Sequence, residues 1–211
     1  MTRFSRRAAL AVGAGALLLP ARTWAQRVGV IPPADIAKPG ALPDLVIGSA
    51  DAKVTIVEYA SMTCSHCAAF HTRVFPALKA KYIDTGKVRF VFREFPLDTL
   101  AAAASMLARC SGDKALPLIS TLFQSQEAWS SGGNIQVKLF GFAKQMGFTQ
   151  DSFDKCVNDQ ALLAKIEAGR DRAETVFNVE STPTFFIEGR KIEGGASLAE
   201  FDAVLEPLLK G

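Results

Sequence analysis

The chain has 211 residues, of which 49% are hydrophobic and 21% are charged, and it contains two histidines and four cysteines. This length suits one domain or two small ones, and the composition argues against an intrinsically disordered chain and against a protein with many membrane spans. The formal net charge is +3, but four arginines fall in the first 25 residues; without them 20 basic residues face 21 acidic ones, which argues against a nucleic-acid-binding protein.

Residues 1–25 have the three parts of a bacterial export signal. They begin with basic residues that include Arg6 and Arg7, continue with an apolar stretch over residues 8–19, and end in a small-residue pattern before Ala25 that a signal peptidase recognises. We predict a signal peptide that is cleaved after Ala25. The alternative is a membrane anchor, but the apolar stretch is about 12 residues long and a span needs about 20.

The export route has two interpretations. Ser5-Arg6-Arg7 followed by Leu10 partly matches a twin-arginine signal, which exports folded proteins, whereas a basic start also serves ordinary secretion. Both routes lead out of a bacterial cytoplasm, so we expect a periplasmic protein whose four cysteines can form disulfides.

The following segments alternate between strand and helix patterns. Residues 26–43 contain four prolines, which predicts an extended leader that is neither a helix nor a central strand. Residues 54–59 are mostly β-branched or aromatic and predict a buried strand. In residues 64–82 apolar side chains recur every three or four positions, which predicts an amphipathic helix kinked at Pro76. Residues 88–92 predict a second strand, which the helical crossover makes parallel to the first.

Residues 97–178 change to helical patterns. Their apolar periodicity is interrupted at Gly112, Gly132-Gly133 and Gly147, which predicts a block of four or five helices. The predicted helices are a stretch up to Cys110, then 116–129, 135–146, 152–157 and 161–177.

Strand patterns return after the helical block. Residues 184–187 predict a strand, and Glu188-Gly189 predicts a tight turn into a second strand at residues 190–192. Residues 198–209 predict a final helix. The order of elements is therefore β-α-β, a helical block, then β-β-α, which predicts an α/β fold.

Cys64-Ser65-His66-Cys67 stand where the first strand passes into the first helix, and a Cys-x-x-Cys pair at such a junction is typical of a redox site. Cys64 falls in the first helical turn, where unpaired backbone N–H groups and the helix dipole favour a thiolate, so we predict that it is the nucleophile. His66 can add a hydrogen bond or a positive charge to the Cys64 sulfur. Cys67 is the expected resolving thiol, and the disulfide of the pair is expected to be a strong oxidant.

Two other interpretations of the pair remain open. A structural role is disfavoured because closing a four-residue loop stabilises a fold by only about 2 kcal/mol. A zinc site would need further ligands, and the remaining candidates, His71, Cys110 and Cys156, are scattered along the sequence. We therefore predict neither a bound metal nor a cofactor.

His71 also lies near the pair in sequence. It follows Cys64 by seven residues, which places it on nearly the same helix face but about two turns, or about 10 Å, away. We therefore interpret His71 as a boundary or substrate-surface residue.

Three separated blocks resemble the DsbA-like branch of the thioredoxin-like family. They are residues 58–71 around the cysteine pair, residues 92–97 (Phe-Arg-Glu-Phe-Pro-Leu) and residues 181–187 (Ser-Thr-Pro-Thr-Phe-Phe-Ile), and the resemblance covers residues 43–209. It implies a thioredoxin-like fold with an inserted helical subdomain, and a thiol–disulfide oxidoreductase activity.

The resemblance also implies roles for residues near the pair. Pro183 is expected to be a cis-proline beside the cysteines, and the backbone of Thr182 is expected to pair with an extended substrate. Glu58 is expected to be a buried acid that relays protons to or from Cys67. The alternatives are that Pro183 only starts a strand and that Glu58 lies at the solvent edge of its strand.

Cys110 and Cys156 both fall in the predicted helical block. A disulfide between them would close a loop of about 47 residues and stabilise the fold by about 4 kcal/mol. Because related members of the family carry an extra disulfide in this block, we predict a structural or redox-modulating bond. The alternative is two separate buried thiols, which export disfavours.

These interpretations predict a monomeric periplasmic oxidoreductase that introduces disulfides into reduced, cysteine-containing proteins. The resemblance implies that a membrane quinone-linked oxidase resembling DsbB reoxidises it. An isomerase or reductase kept in the reduced state is an alternative, because Ser65 and Thr182 stand where the best-known oxidase has Pro and Val. A non-enzymatic periplasmic binding or holdase module is another alternative.

The predicted organisation is a signal peptide (1–25), a leader (26–43), a thioredoxin-like domain (44–96 and 179–211) and an inserted helical subdomain (97–178).

Overall fold

A five-stranded mixed sheet forms the centre of the computed structural model, which describes residues 31–211. The predicted signal peptide lies outside these residues. The strands are β1 (Leu45–Ile47), β2 (Val54–Ala60), β3 (Val88–Glu94), β4 (Thr184–Ile187) and β5 (Arg190–Glu193). Their order in the sheet is β1-β3-β2-β4-β5; β2 and β3 are parallel, and the other neighbours are antiparallel.

The parallel pair β2–β3 and the hairpin β4–β5 confirm the sequence predictions. At the hairpin turn Glu188 and Gly189 both have positive φ, 46° and 80°, as a type I′ turn requires. The sequence analysis does not predict β1. With three residues it is too short to show a periodic pattern, and its pairing with β3 is what makes it a strand.

Most helices of the described chain follow the predicted block. The predicted helix 116–129 is divided at Ser125, so it forms two helices instead of one. No helix within residues 31–211 is long and apolar enough to cross a membrane. The helices are α1 (Pro33–Ala37), α2 (residues 65–83), α3 (Thr99–Cys110), α4 (Ala115–Gln124), α5 (Gln126–Ser130), α6 (Ile135–Gln145), α7 (Gln150–Val157), α8 (Gln160–Phe177) and α9 (Leu198–Lys210), with a short 3₁₀ turn at Gly112–Lys114.

Helix α1 corrects the prediction of a leader without helix. Pro33 stands at its first turn, where the missing N–H of proline costs nothing. Two arginines that are distant in sequence satisfy its last carbonyl groups: Arg93 donates to the carbonyls of Ile36 and Lys38, and Arg172 donates to that of Lys38, at 2.9 to 3.1 Å. The short helix therefore depends on tertiary contacts, which the local proline pattern does not reveal.

The two faces of the sheet are covered by different helices. Because alternate strand residues point to opposite faces, Ile56 and Glu58 of β2 point toward α2 and α9, whereas Val57 and Tyr59 point toward α1 and α8. A charged residue is thus carried into the larger core beneath α2. In that core the rings of Phe70, Phe185 and Phe201 pack with centroids 4.7 to 5.7 Å apart.

Helix α2 changes its turn geometry around Pro76. Proline cannot donate a backbone hydrogen bond, and the turn that precedes it, Phe70–Val74, is π-helical, with the Phe75 N–H bonded to the Phe70 carbonyl. A second π-helical turn, Lys79–Ile83, ends the helix. The structure therefore shows wider turns before and after Pro76.

Cys110 at the end of α3 forms a disulfide with Cys156 in α7, across a sequence separation of 46. The bond joins two helices of the inserted block. It also engages two of the three residues that a zinc site at Cys64 and Cys67 would have required.

Removing this disulfide is expected to destabilise the protein. Replacing both Cys110 and Cys156 by alanine releases a loop with a sequence separation of 46, and chain entropy then predicts a loss of about 4 kcal/mol in the free energy of unfolding. Urea unfolding of the double variant and of the wild type under non-reducing conditions measures this difference. An unchanged free energy of unfolding would contradict the prediction.

Candidate active site

Cys64 is the residue that caps the N-terminus of α2. Its backbone is extended, with φ −76° and ψ 119°, and its sulfur accepts a hydrogen bond from the backbone N–H of Cys67 at 3.4 Å. The sulfur thus takes the place of a capping oxygen and satisfies one of the free N–H groups of the first turn. Cys64 is 9% exposed to solvent and Cys67 is 0% exposed, so solvent reaches Cys64 but not Cys67.

The surroundings of Cys64 favour its thiolate. Hydrogen bonding from the Cys67 side chain, from the Thr182 side chain and from the backbone N–H groups of Cys67 and His66 lowers the pKa of Cys64 to about 5, against the opposing effect of burial. The Thr182 hydroxyl is buried without a hydrogen-bond partner among the described residues, so it is available to the Cys64 sulfur. At neutral pH Cys64 is therefore an anion.

Cys67 has the opposite environment. Its burial raises the pKa of the Cys67 thiol far above the usual range, and its hydrogen bond with Cys64 and the negative charge of Glu58 raise it further. One cysteine is thus held as a thiolate and its neighbour as a thiol. This asymmetry is what the predicted roles of nucleophile and resolving thiol require.

Glu58 lies in the core beneath the pair. Its side chain is 0% exposed, so the alternative position at a solvent edge is wrong. Its Oε2 is 2.8 Å from Nε2 of His71, while its Oε1 is buried without a hydrogen-bond partner in the described part of the chain.

His71 lies at the boundary of the core, which agrees with the boundary position of the sequence interpretation and not with a substrate-surface position. Its side chain is 8% exposed and its ring stacks on Phe123, with centroids 4.3 Å apart. The position of His71 is explained by its spacing to Cys67 and not by its spacing to Cys64. His71 follows Cys67 by four residues, and such a spacing places two side chains on the same face of a helix, here the buried one.

His66 contributes in a different way from the predicted one. Its side chain is exposed, and within residues 31–211 its ring forms no hydrogen bond with Cys64. The part of His66 that helps to lower the pKa of Cys64 is its backbone N–H, in addition to the contributions of Cys67 and Thr182. The reason is geometric, because backbone N–H groups of a first helical turn point at the capping residue while the side chains project outward.

Thr182 and Pro183 stand opposite Cys64. The peptide bond between them is cis, and the Cys64 sulfur lies 3.2 Å from the Thr182 carbonyl oxygen, to which the protonated thiol can donate a hydrogen bond. The segment before β4 is thereby placed beside the sulfur, although 118 residues separate the two in sequence. The predicted substrate-binding residues and the cysteine pair thus form one site.

Two further contacts, which the sequence analysis did not identify, hold the loop before α2. Gln126 of α5 donates to the carbonyls of Met62 and Cys64 at 2.8 and 3.0 Å. On the other side, the Thr63 hydroxyl donates to Asp98, the N-cap of α3, at 2.7 Å. No local pattern indicates these contacts, because the partners lie 35 to 64 residues apart.

A protein-family model for thioredoxin matches residues 41–207. A curated relative from Rickettsia bellii, named a protein-disulfide oxidoreductase, is 35% identical over 152 residues, which cover 71% of this chain and 59% of the relative. The chain therefore spans less than two thirds of that relative's length.

Solved structures are similar over more of their length. The crystal structure of Wolbachia pipientis alpha-DsbA1 superposes with a TM-score of 0.75 at 32% identity, covering 83% of this chain and 95% of that one. Oxidised BdbD from Bacillus subtilis gives a TM-score of 0.70 at 23% identity, covering 80% and 94%, and so shares the fold. These matches confirm the predicted α/β, thioredoxin-like fold, and they show that the chain belongs to the DsbA-like family of thiol–disulfide oxidoreductases.

Proposed function

We propose that this protein is an exported, periplasmic thiol–disulfide oxidoreductase that introduces disulfides into reduced proteins through Cys64 and Cys67. The observation that carries the proposal is the contrast within the pair. Cys64 is 9% exposed and has a pKa of about 5, whereas Cys67 is fully buried and its pKa is raised. Such a pair gains stability on reduction and therefore oxidises other thiols.

The reaction begins with the Cys64–Cys67 disulfide. A substrate thiolate attacks Sγ of Cys64, a new disulfide forms between substrate and Cys64, and the electron pair of the broken bond goes to Cys67, which takes up a proton. A second substrate thiolate then attacks the substrate sulfur of this mixed disulfide. Cys64 leaves as a thiolate, which its low pKa favours, and the substrate departs with a disulfide.

The segment before β4 is the proposed substrate site. Pro183 has no N–H, and its carbonyl already accepts from the Gly194 N–H at 2.9 Å. The Thr182 backbone, next to Cys64, remains for pairing with an extended substrate by strand addition. Recognition through backbone groups would suit many different substrate proteins.

The catalytic cycle needs a partner that removes two electrons from the reduced pair. We propose a membrane quinone-linked oxidase resembling DsbB, as the family resemblance implies, and a monomeric protein. Thr182 before the cis-proline keeps an isomerase or reductase as the second candidate. Equilibration with glutathione and a sizing column separate the two, since a strongly reducing potential together with a dimer would favour the isomerase.

Replacing Cys67 by serine tests the proposed exchange. With oxidised glutathione supplied as the oxidant, the variant can form a mixed disulfide at Cys64, and it lacks the Cys67 thiol that would otherwise break this bond. We therefore expect covalent enzyme–substrate adducts to accumulate at least about tenfold over the wild type. Non-reducing gels followed by mass spectrometry measure the adducts. The matched control replaces both Cys64 and Cys67 by serine and should form none. Absence of adducts in the single variant would favour a binding module or holdase.

A further inference from the structure

Three residues of the core beneath α2 form a chain from the buried sulfur toward solvent. Cys67 and Glu58 are both 0% exposed, and the His71 side chain is 8% exposed. Glu58 and His71 are joined by a 2.8 Å hydrogen bond, and His71 follows Cys67 by one turn on the buried face of α2. Of the three side chains, only that of His71 reaches the surface.

The exchange reaction requires a proton to reach the buried sulfur of Cys67. When the disulfide opens, Cys67 receives an electron pair in a place that water does not reach, next to the carboxyl group of Glu58. Two negative charges in a dry core are costly unless a proton arrives with the electrons. Since neither Cys67 nor Glu58 is exposed, the proton has to come through a third group.

We propose that His71 is the positioning residue that charges and discharges Glu58, so that the Glu58–His71 pair stores the proton which Cys67 takes up and releases. This inference rests on the proposed function. His71 holds Oε2 of Glu58, which leaves the unpartnered Oε1 as the oxygen that exchanges a proton with the Cys67 sulfur. The ring then exchanges protons with solvent.

Aromatic rings surround the pair, and within the described residues His71 is the ion-pair partner of Glu58 within 4 Å. The rings within 6.0 Å of the His71 ring belong to phenylalanines of α2, β3 and α4, and the neighbours of Glu58 in the sheet are Phe92 and Phe185. The negative charge of Glu58 acts on the Cys67 thiol, on which Cys64 acts as well. His71 is therefore the group in direct contact with Glu58 that can supply the proton which neutralises it.

The step is balanced in both directions. On opening, the Cys64–Cys67 bond breaks, the electron pair goes to Cys67, and one proton moves from the Glu58–His71 pair to that sulfur. On closing, Cys67 returns the proton to the pair and attacks the Cys64 sulfur of a mixed disulfide, whose other thiol leaves with the electron pair. No further oxidant or reductant is involved in the proton transfer.

Replacing His71 by glutamine tests this role, because glutamine can keep the hydrogen bond to Glu58 but cannot carry a proton to solvent. We expect closure of a Cys64–glutathione mixed disulfide to slow by about tenfold or more at pH 7, and the pH profile of that rate between pH 4 and 9 to change its inflection. Acid quenching followed by mass spectrometry measures the closure. In a Glu58→Gln background the further replacement of His71 should have little additional effect, because the two act as one unit.

Each result bears on a distinct part of the proposal. If the wild type forms no mixed disulfide and oxidises no substrate, the proposed function fails. If the wild type is active and His71→Gln has the same closure rate and pH profile, or slows closure equally in the Glu58→Gln background, the role of His71 is wrong.

A measurement on the wild type covers the case in which His71→Gln does not fold. The chain has two histidines, so the ring protons of His71 can be followed by NMR during a pH titration. We expect its midpoint to differ between the disulfide and the reduced forms, and this difference to disappear in Glu58→Gln. Equal midpoints, or a difference that persists in that variant, would overturn the proposal.

Discussion

Replacing Cys64 by serine is expected to reduce the rate of substrate oxidation by at least about 1,000-fold, to the level of the uncatalysed reaction. Serine cannot form the disulfide that accepts the electrons. It also cannot become an anion at the start of α2, where the hydrogen bonds that hold the Cys64 thiolate converge. The rate at which a reduced, unfolded protein regains activity through its disulfides measures the effect.

A suitable control for this variant keeps the fold and leaves the cysteines in place. Val176 is 62% exposed and lies on α8, outside the site, so Val176→Ser should oxidise substrate at the wild-type rate. Undiminished activity of Cys64→Ser would mean that the cysteines are idle and that the protein assists folding as a holdase.

The stability of the reduced protein is expected to rise steeply with pH. Because folding lowers the pKa of Cys64 from 9.0 to about 5, the folded state binds fewer protons than the unfolded state between these values. The thiolate then contributes about 5 kcal/mol above pH 9 and about 3 kcal/mol at pH 7, and this contribution is lost as the pH falls to 5. At pH 7 the same stabilisation of the reduced form makes the disulfide more oxidising by about 60 mV.

Urea unfolding of reduced wild type and reduced Cys64→Ser at pH 5, 7 and 9 measures this contribution. The difference in the free energy of unfolding should grow by about 1.4 kcal/mol per pH unit between pH 5 and 9. Both proteins are kept in the same reductant, so loss of the Cys110–Cys156 disulfide affects them equally. A difference that is independent of pH would contradict the low pKa of Cys64, and with it the proposed oxidising power.

The geometry also suggests why these cysteines sit in an α/β framework. Parallel strands β2 and β3 need a helical crossover, and the start of that crossover provides a helix N-terminus at the end of a buried strand. A sulfur placed there accepts hydrogen bonds from the backbone N–H groups of the first helical turn. The strand before it carries Glu58 into the core at the same time.

Elements with a local residue pattern can be predicted from the amino-acid sequence. The β-branched run of β2, the apolar stripe of α2 and the Glu188-Gly189 turn each indicate their structure within a few residues, because side-chain period and turn geometry are short-range properties. The position of Cys64 at the start of α2 follows from the same patterns. Cys64 can therefore be predicted as the nucleophile from the sequence.

Contacts between residues that are distant in sequence depend on the packed fold. Strand β1 and helix α1 exist through contacts with β3 and Arg93, and Gln126 reaches the loop before Cys64 from a helix more than 60 residues away. The contact between His71 and Glu58 depends on the side chain of Glu58 pointing beneath α2, which the sequence does not show. A hydrogen bond in the core depends on which faces of two elements come together, and that is set by packing, which no local pattern of residues encodes.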